Sequence, residues 1–287
     1  MAFSPLQVLS DAKTRGEQVA VVSLYDAPTA EICCEAGVDC ILVGDSMGNA
    51  MLGYDDFLSV TMEDVLRHTA AVARGVKQSR RPEVPVVGDL PFGSYVSPEQ
   101  AARNGANLIR AGAHGVKLEG AGPSALAAVR TLVEMGAPIV GHLGFKPQSS
   151  LRYSSVVQGK TAGAASRLLQ EARELEAAGC IALVLEAVTS EVARRITEEL
   201  SIPTIGIGAG AGCVGQVLVW HDLVGLTTPR KKPFRFVKRY ADSRALFSEA
   251  ARSFADEVHS GAFPTEEHGW NLPETELEEW RAREDGR

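Results

Sequence analysis

From Val19 onward, short runs of aliphatic and β-branched residues alternate with alanine-rich stretches whose apolar positions recur with helical spacing. The junctions repeat one pattern, in which a helix end runs directly into a strand: "EAGVDCILVGD", "RAGAHGVKLEG", "EMGAPIVGHLG", "EAAGCIALVLE" and "ELSIPTIGIGAG". In most of them a glycine follows the helix, where it can adopt the left-handed conformation that ends a helix. The chain is therefore predicted to consist of repeated strand and helix units.

Eight such strands are predicted, and helical patterns lie between most of them. One example is "SPEQAARNGANLIRAG", in which Ser97 is expected to be the N-cap. The strands are short and rich in Val, Ile and Leu, as strands covered on both faces must be. Eight strands within about 200 residues favour an α/β fold of the (βα)8 TIM-barrel type over an open doubly wound sheet. The predicted strands cover residues 19–26, 40–45, 85–91, 115–120, 138–144, 181–188, 203–208 and 216–221.

The pattern changes after Leu226, where "TTPRKKPFRFVKRY" is followed by the helical stretch "ADSRALFSEAARSFADEVHSG". We expect a single barrel domain over residues 1–265, with a helical segment before the first strand and a C-terminal helix. Residues 266–287 form an acidic tail, which we expect to be mobile because chain ends fray unless they are packed.

Composition narrows the class of partner. The 287 residues are 45% hydrophobic and carry a net charge of -7, with a pI near 5.5, which argues against nucleic acid or a membrane as the main partner. The basic run at residues 230–240 is interleaved with aromatics, but a solvated or subunit-contacting segment is favoured there. The N-terminal sequence has no signal-peptide pattern, no apolar run reaches about 18 residues, and the cysteines are predicted to be reduced thiols, so a cytoplasmic protein acting on small molecules is expected.

Polar residues end most of the predicted strands. In a barrel of this kind, the carboxyl ends of the strands and the loops after them build the active site. Several acids, a lysine and a histidine at one rim would repel one another without a cation, and carboxylate oxygens suit Mg²⁺ or a similar ion. The alternative is a salt-bridged ring of structural charges. The residues concerned are Asp26, Asp45, Asp89, Lys117, Glu119, His142 and Glu186.

Taken singly, these residues carry different expectations. Asp26 is more typical of a helix N-cap than of a ligand. His142 could equally be a core histidine or a functional one. Glu186 follows four apolar residues, whose walls should raise the pKa of its carboxyl toward that of a useful base. The run "GIGAGAG" at residues 206–212 does not fit the dinucleotide-binding pattern, and its glycines are expected to let a ligand or another backbone approach closely.

At this point the sequence resembles the 3-methyl-2-oxobutanoate hydroxymethyltransferase (ketopantoate hydroxymethyltransferase) family. The matching segments run in the family's order between residues 25 and 222, and "FVKRYAD" extends the match beyond them. The resemblance implies a (βα)8 barrel that forms a homo-oligomer, for which a decamer is one form. The segments are "YDAPTA", "LVGDSMGNAMLGYD", "VTMEDVLRHTAAVARG", "GDLPFGSYVSPEQA", "GVKLEG", "GHLGFKPQS", "VLEAV", "IPTIGIGAG" and "GQVLVWHD".

The resemblance also implies which residues bind the reactants. By motif, Asp45 and Asp89 are the family's Mg²⁺ ligands, and Glu119 completes the metal site. Asp45, Ser46 and Asp89 would hold the oxo acid. Lys117 would pair with its carboxylate.

For catalysis, the resemblance implies transfer of a hydroxymethyl group from 5,10-methylenetetrahydrofolate, a cosubstrate, to 3-methyl-2-oxobutanoate, the step that opens pantothenate synthesis. Glu186 stands at the position of the family's catalytic base, and His142 is an additional polar contact. Two departures lie in predicted loops. The chain has "YSSVVQG", with Ser154 and Ser155, where the family usually reads "GGYxVQG", and Val214 where the family commonly has an aspartate before "GQ".

Two other functions fit parts of the sequence. A Mg²⁺-dependent oxo-acid lyase of the phosphoenolpyruvate mutase and isocitrate lyase superfamily would also use acids at strand ends. A catalytically silent barrel with a binding role is suggested by the loop departures, although the intact strand-end acids argue against it. Proton exchange at C3 of the oxo acid would separate a silent barrel from an enzyme.

Overall fold

The computed structural model describes residues 4–152, 155–227 and 234–286. Within these residues, eight parallel strands form a closed barrel in which each strand pairs with its neighbour in sequence and β8 pairs with β1. The predicted (βα)8 fold is therefore confirmed. The strands are β1 Val19–Ser23, β2 Cys40–Val43, β3 Val86–Asp89, β4 Gly115–Glu119, β5 Ile139–Gly144, β6 Ala182–Glu186, β7 Thr204–Ile207 and β8 Gly215–Val219.

Helices follow the strands in the expected alternation, except between β7 and β8, which a loop connects. Short single turns lie at Gly48–Leu52, Pro147–Arg152 and Glu266–His268. The α-helices are α1 Gln7–Arg15, α2 Ala27–Glu35, α3 Met62–Gln78, α4 Pro98–Arg110, α5 Pro123–Glu134, α6 Ala162–Ala177, α7 Ser190–Glu199, α8 Trp220–Leu223, α9 Ser243–Ser260 and α10 Glu274–Asp285.

The helix ends follow the signals in the sequence. The Ser97 side chain accepts a hydrogen bond from the backbone of Gln100, as its predicted N-cap role requires. Glycines with positive φ follow the helix at four of the five quoted junctions, which confirms the left-handed caps predicted there; they are Gly37, Gly112, Gly136 and Gly179. Helix α7 has no such glycine. Instead, the Lys13 ammonium donates to the carbonyls of Thr197 and Leu200 at its end.

Two apolar clusters hold the barrel together. The larger lies between the strands and the surrounding helices, and the smaller fills the barrel interior. Leu9 of α1 packs among the interior residues, and Leu6 lies against Gly115 at the start of β4. Helix α1 therefore covers the end of the barrel where the strands begin, and the end where they finish is left to form the site.

The chain divides into two compact units, Met1–Tyr240 and Ala241–Arg287. The second unit contains α9 and α10, and the Phe254 and Phe263 rings meet edge to face within it. The domain limits expected from the sequence stay a prediction. All five cysteines are buried and unbridged. Among the described residues, no helix combines the length and apolar character needed to cross a membrane.

Candidate active site

A cavity of about 510 Å³ opens at the end of the barrel where the strands finish. It brings together all the residues that the sequence placed in a site, apart from Asp26. That residue is the N-cap of α2, where its carboxylate accepts from the backbone and the hydroxyl of Thr29, the role expected of it when taken alone. The site residues that line the cavity are Asp45, Ser46, Asp89, Lys117, Glu119, His142 and Glu186.

The sheet register accounts for this convergence. Asp89 at the end of β3 is opposite Lys117 of β4, and Glu119 at the end of β4 is opposite His142 of β5. Lys117 and Glu119 are two residues apart on one strand, so both side chains project to the same face. That face is the interior of the barrel, where the side chains of neighbouring strands meet.

Lys117 and Asp89 form an ion pair in this interior. The ammonium Nζ lies 2.5 Å from Oδ2 of Asp89, and the two side chains are 4% and 1% exposed. Burial by itself lowers the pKa of Lys117, but the negative charges of Asp89, Glu119 and Asp45 outweigh it and raise the pKa above its ordinary value. The charged ammonium form of Lys117 is therefore favoured. Its ammonium has three N–H donors, of which Asp89 takes one.

Gln148 holds two of the acids and was not identified from the sequence. Its side-chain amide donates to Oδ2 of Asp45 at 3.0 Å and to the carbonyl of Leu90, while its backbone N–H donates to Oε2 of Glu119 at 3.2 Å. The Tyr95 hydroxyl donates to the remaining amide oxygen. Gln148 lies in the single turn after β5, and the site residues were predicted from the ends of the strands. The one signal was its place in the quoted segment "GHLGFKPQS".

The buried acids have raised pKa values. Burial, followed by repulsion from Glu119, raises the pKa of Asp45 to about 6. Burial also raises the pKa of Glu119 to about 7, although Lys117 opposes the shift. Lys117 supplies one positive charge for three buried carboxyls, those of Asp45, Asp89 and Glu119. A further cation bound beside them would therefore be stabilised by their negative charge.

Ser46 is oriented by two other hydroxyls. The Tyr25 hydroxyl donates to Oγ of Ser46 at 2.7 Å, and Oγ of Ser23 lies 3.1 Å from the same atom. Tyr25 is fully buried and stacks on the ring of His221, with the centroids 5.7 Å apart. Because Tyr25 uses one lone pair of Ser46, the serine O–H is left to point toward Ser23 or into the cavity.

His142 lies between two carboxyls. Its Nδ1 is 3.1 Å from Oε1 of Glu119, and its Nε2 is 3.3 Å from Oε2 of Glu186. These are close polar contacts without the alignment of full hydrogen bonds. Burial and the nearby Lys117 lower the pKa of His142, so the neutral imidazole carries one N–H for two carboxyls. The arrangement is favourable when one of the carboxyls carries a proton.

Glu186 stands at the end of β6 with its side chain 16% exposed. Burial raises the pKa of its carboxyl, the direction expected from the apolar strand that precedes it. The backbone here is tightly constrained: Ala187 has a φ of 49°, and a Cβ on Gly144, whose own φ is 96°, would lie 2.1 Å from the Glu186 carbonyl oxygen. Only a glycine at position 144 lets β5 pass this close to the end of β6.

A metal ion was predicted here, and the donor types suit one. Within residues 4–152, 155–227 and 234–286, no group of three or more histidine, cysteine, aspartate or glutamate side chains is arranged as a metal site. Mg²⁺, however, is commonly held by one or two carboxylates together with water and substrate oxygens. Oδ1 of Asp89 is buried and has no hydrogen-bond partner among the described residues, so it is free to accept a cation. Asp89 and Asp45 therefore fit the group, and its presence stays a prediction.

Glycines of the run at 206–212 are approached by side chains. A Cβ on Gly208 would lie 2.5 Å from the Phe236 ring, and one on Gly210 would lie 2.4 Å from Oγ of Ser190. The expected close approach is thus present, but at Gly208 the group that approaches is an aromatic ring of the chain itself. Backbone approaches as well, since a Cβ on Gly212 would lie 3.0 Å from Cα of Arg194. The expected approach of another backbone is therefore present within the run, and the approach of a ligand stays a prediction.

The described residues of the two loop departures, Ser155 and Val214, lie outside the lining of the cavity. Ser154 falls outside the described residues. Ser155 is exposed, and its hydroxyl accepts from Lys160. Val214 is buried with the apolar residues of the barrel interior, and its carbonyl accepts from the backbone of Val19. Neither Ser155 nor Val214 contacts the residues that end the strands at the cavity.

Solved structures share the fold. The chain aligns with phosphonopyruvate hydrolase at a TM-score of 0.61 and 14% identity, covering 99% of this chain and 97% of that one. It aligns with 2,3-dimethylmalate lyase, a member of the PEP mutase/isocitrate lyase superfamily, at a TM-score of 0.58 and 14% identity, covering 100% and 97%. At this level of identity the likeness shows a common barrel fold alone.

Sequence relatives are much more similar. The proteins named 3-methyl-2-oxobutanoate hydroxymethyltransferase from Ignicoccus hospitalis and Syntrophomonas wolfei are 49% and 43% identical to this chain. The alignments cover 89% and 97% of this chain, and 94% and 99% of the relatives. The model of the family described as ketopantoate hydroxymethyltransferase matches residues 5–266. The chain therefore belongs to the ketopantoate hydroxymethyltransferase family.

Proposed function

We propose that the protein transfers a hydroxymethyl group from 5,10-methylenetetrahydrofolate to 3-methyl-2-oxobutanoate, forming 2-dehydropantoate as the first step of pantothenate biosynthesis. The observation that carries the proposal is the placement of the Glu186 carboxyl and the Lys117–Asp89 ion pair in one buried cavity. A base and a fixed cation that line the same cavity suit the removal of a proton next to a carbonyl group.

The residues at the inner end of the cavity suit a small oxo acid. Lys117 has N–H donors beyond the one that Asp89 occupies, and these would bind the substrate carboxylate. Ser46, oriented by Tyr25, would donate to a substrate oxygen. Asp45 and Asp89, with Glu119 nearby, would hold Mg²⁺. When bound, this ion would supply a positive charge beside the 2-oxo group, where negative charge develops.

Glu186 would act as the base. It would take the proton from C3, and the electron pair of the broken C–H bond would form the enolate of the oxo acid. C3 of the enolate would then bond to the methylene carbon carried by the folate, while water supplies the hydroxyl oxygen and tetrahydrofolate leaves. His142, in contact with Glu186 on one side and Glu119 on the other, would hold the base in place between these steps.

The test is proton NMR of 3-methyl-2-oxobutanoate in D₂O with Mg²⁺ and without folate. The C3 proton signal should be lost with the wild type, because Glu186 removes the proton. The signal should persist with Glu186→Gln. Glu63→Gln, a change at an 80% exposed glutamate, is the matched control and should exchange like the wild type. Adding methylenetetrahydrofolate should then yield 2-dehydropantoate. A protein that gives neither exchange nor product would exclude the transferase.

A second candidate, an oxo-acid lyase, is favoured by the fold that the chain shares with 2,3-dimethylmalate lyase. The same base and cation would serve it, but it would break a carbon–carbon bond of a larger oxo acid or hydroxy acid. Cleavage of such an acid without folate would support the lyase. Absence of both the transfer and the cleavage reaction would support the silent barrel. The homo-oligomer and the cytoplasmic location stay predictions.

A further inference from the structure

The outer part of the cavity has an aromatic wall that the proposed chemistry at its inner end does not use. The rings of Phe234 and Phe236 both line the cavity and stack on each other, with centroids 5.2 Å apart and planes inclined by 7°. Phe234 is 45% exposed. Two stacked aromatic rings beside an open cavity present a large apolar surface that gains stability when a ligand covers it.

The position of this wall is fixed by the barrel. Phe236 lies against Gly208, where even a single added methyl carbon would come within 2.5 Å of the ring. Gly208 follows β7 directly, so the ring is seated on the same end of the barrel as the acids. Packing against Gly208 therefore fixes the Phe234–Phe236 pair in the wall of the cavity.

The size of the cavity leaves room for a second, larger ligand. A volume of about 510 Å³ lies in the range of pockets that hold drug-sized molecules. A small branched oxo acid bound by Lys117 and Ser46 would fill the inner end alone. The one-carbon donor must reach the same carbon of that acid, so its flat ring has to enter from the outer end, past Phe234.

We propose that Phe234 and Phe236 form the stacking surface for the nitrogen-containing ring of the folate that donates the one-carbon unit. The proposal rests on the proposed function and adds the residues that bind its cosubstrate. Flat heteroaromatic rings stack on aromatic side chains with little dependence on their hydrogen-bonding pattern, and such contacts contribute strongly to affinity. The arrangement holds the ring at the mouth and directs the reactive methylene carbon inward.

The test compares wild type with Phe234→Leu, Phe236→Leu and Phe92→Leu by calorimetric titration with tetrahydrofolate. Phe92 is 56% exposed and lies outside the lining of the cavity, so its variant controls for the loss of an exposed ring. We expect both cavity variants to bind tetrahydrofolate about 10-fold or more weakly, and Phe92→Leu to bind as wild type does. Phe234→Trp, which keeps a ring, should restore the affinity.

Proton exchange at C3 without folate tests the proposed transferase function separately from the proposed folate-stacking surface. The cavity variants should exchange at the wild-type rate, which also shows that they are folded. If both bind tetrahydrofolate as tightly as wild type, the stacking surface is wrong while the proposed transferase stands. A third outcome is that wild type exchanges the C3 proton but binds no tetrahydrofolate and forms no 2-dehydropantoate. In that case both the proposed transferase function and the proposed folate site are wrong.

Discussion

The ammonium of Lys117 lies 2.5 Å from Oδ2 of Asp89 in the interior of the barrel, where neither side chain is more than 4% exposed. Little water reaches either charge there, so each depends largely on the other for its stabilisation. The pair fixes a positive charge beside three carboxyls, and this charge is what we expect a negatively charged substrate to meet.

Breaking this pair should be costly. Lys117→Met leaves the Asp89 carboxylate buried without its partner, and we expect a loss of about 3 kcal/mol in the free energy of unfolding, measured by urea denaturation. The double variant Lys117→Met with Asp89→Leu should recover part of that loss, because no uncompensated charge is left. Glu63→Gln, which breaks an exposed ion pair with Arg67, should cost less than about 1 kcal/mol. Equal losses for the two single variants would contradict this prediction.

Stability should depend on pH through Asp45. Its folded-state pKa, about 6, is above the unfolded value near 4 because burial penalises the charged form. Such a group contributes its stability fully below pH 4, and the contribution is lost as pH rises through 6. Without divalent metal, the free energy of unfolding should fall by about 3 kcal/mol more in wild type than in Asp45→Asn between pH 4 and pH 8.

The matched control for the pH experiment is Asp256→Asn, at an exposed position of α9. It should keep the pH dependence of wild type. Adding Mg²⁺ should reduce the loss at pH 8, since the ion would compensate the charge that burial penalises. The prediction is contradicted if the free energy of unfolding depends on pH in the same way in wild type and in Asp45→Asn. Burial would then not raise the pKa of Asp45.

Gln148 should support metal binding without contacting the metal. Its amide and backbone N–H orient Asp45 and Glu119, and loss of such an orienting group typically costs 10- to 100-fold in metal affinity. We expect Gln148→Leu to need about 10-fold more Mg²⁺ to reach half of the wild-type thermal stabilisation. Gln170→Leu, on an exposed face of α6, should behave as wild type. An unchanged Mg²⁺ requirement in Gln148→Leu would count against the proposed metal site.

Gly144 should tolerate no side chain. Gly144→Ala places a Cβ 2.1 Å from the Glu186 carbonyl oxygen, so one of the two strands must move. Gly136→Ala is the matched control, since Gly136 has a similar φ of 90° and nothing within 4 Å of an added Cβ. We expect the control to lose about 1 kcal/mol from its backbone conformation and Gly144→Ala to lose at least about 2 kcal/mol more, with C3 exchange abolished.

The sequence by itself determined the barrel and the residues at its mouth. Alternating strand and helix patterns, with glycines such as Gly112 and Gly136 at the helix ends, leave few folds that can bury every strand. Once the strands are parallel and closed into a barrel, residues that end them must share one rim. The sequence alone therefore places Asp45, Asp89 and Glu186 together.

Only the tertiary structure decided which groups orient these residues. Gln148 reaches Asp45 across 103 positions of sequence, and Phe236 is seated on Gly208 from a segment beyond the last strand. Local periodicity reports which face of an element is apolar, but it does not report which loop folds over which strand end. That choice depends on packing between distant segments, so the partners of the predicted site residues came from the fold and not from the pattern.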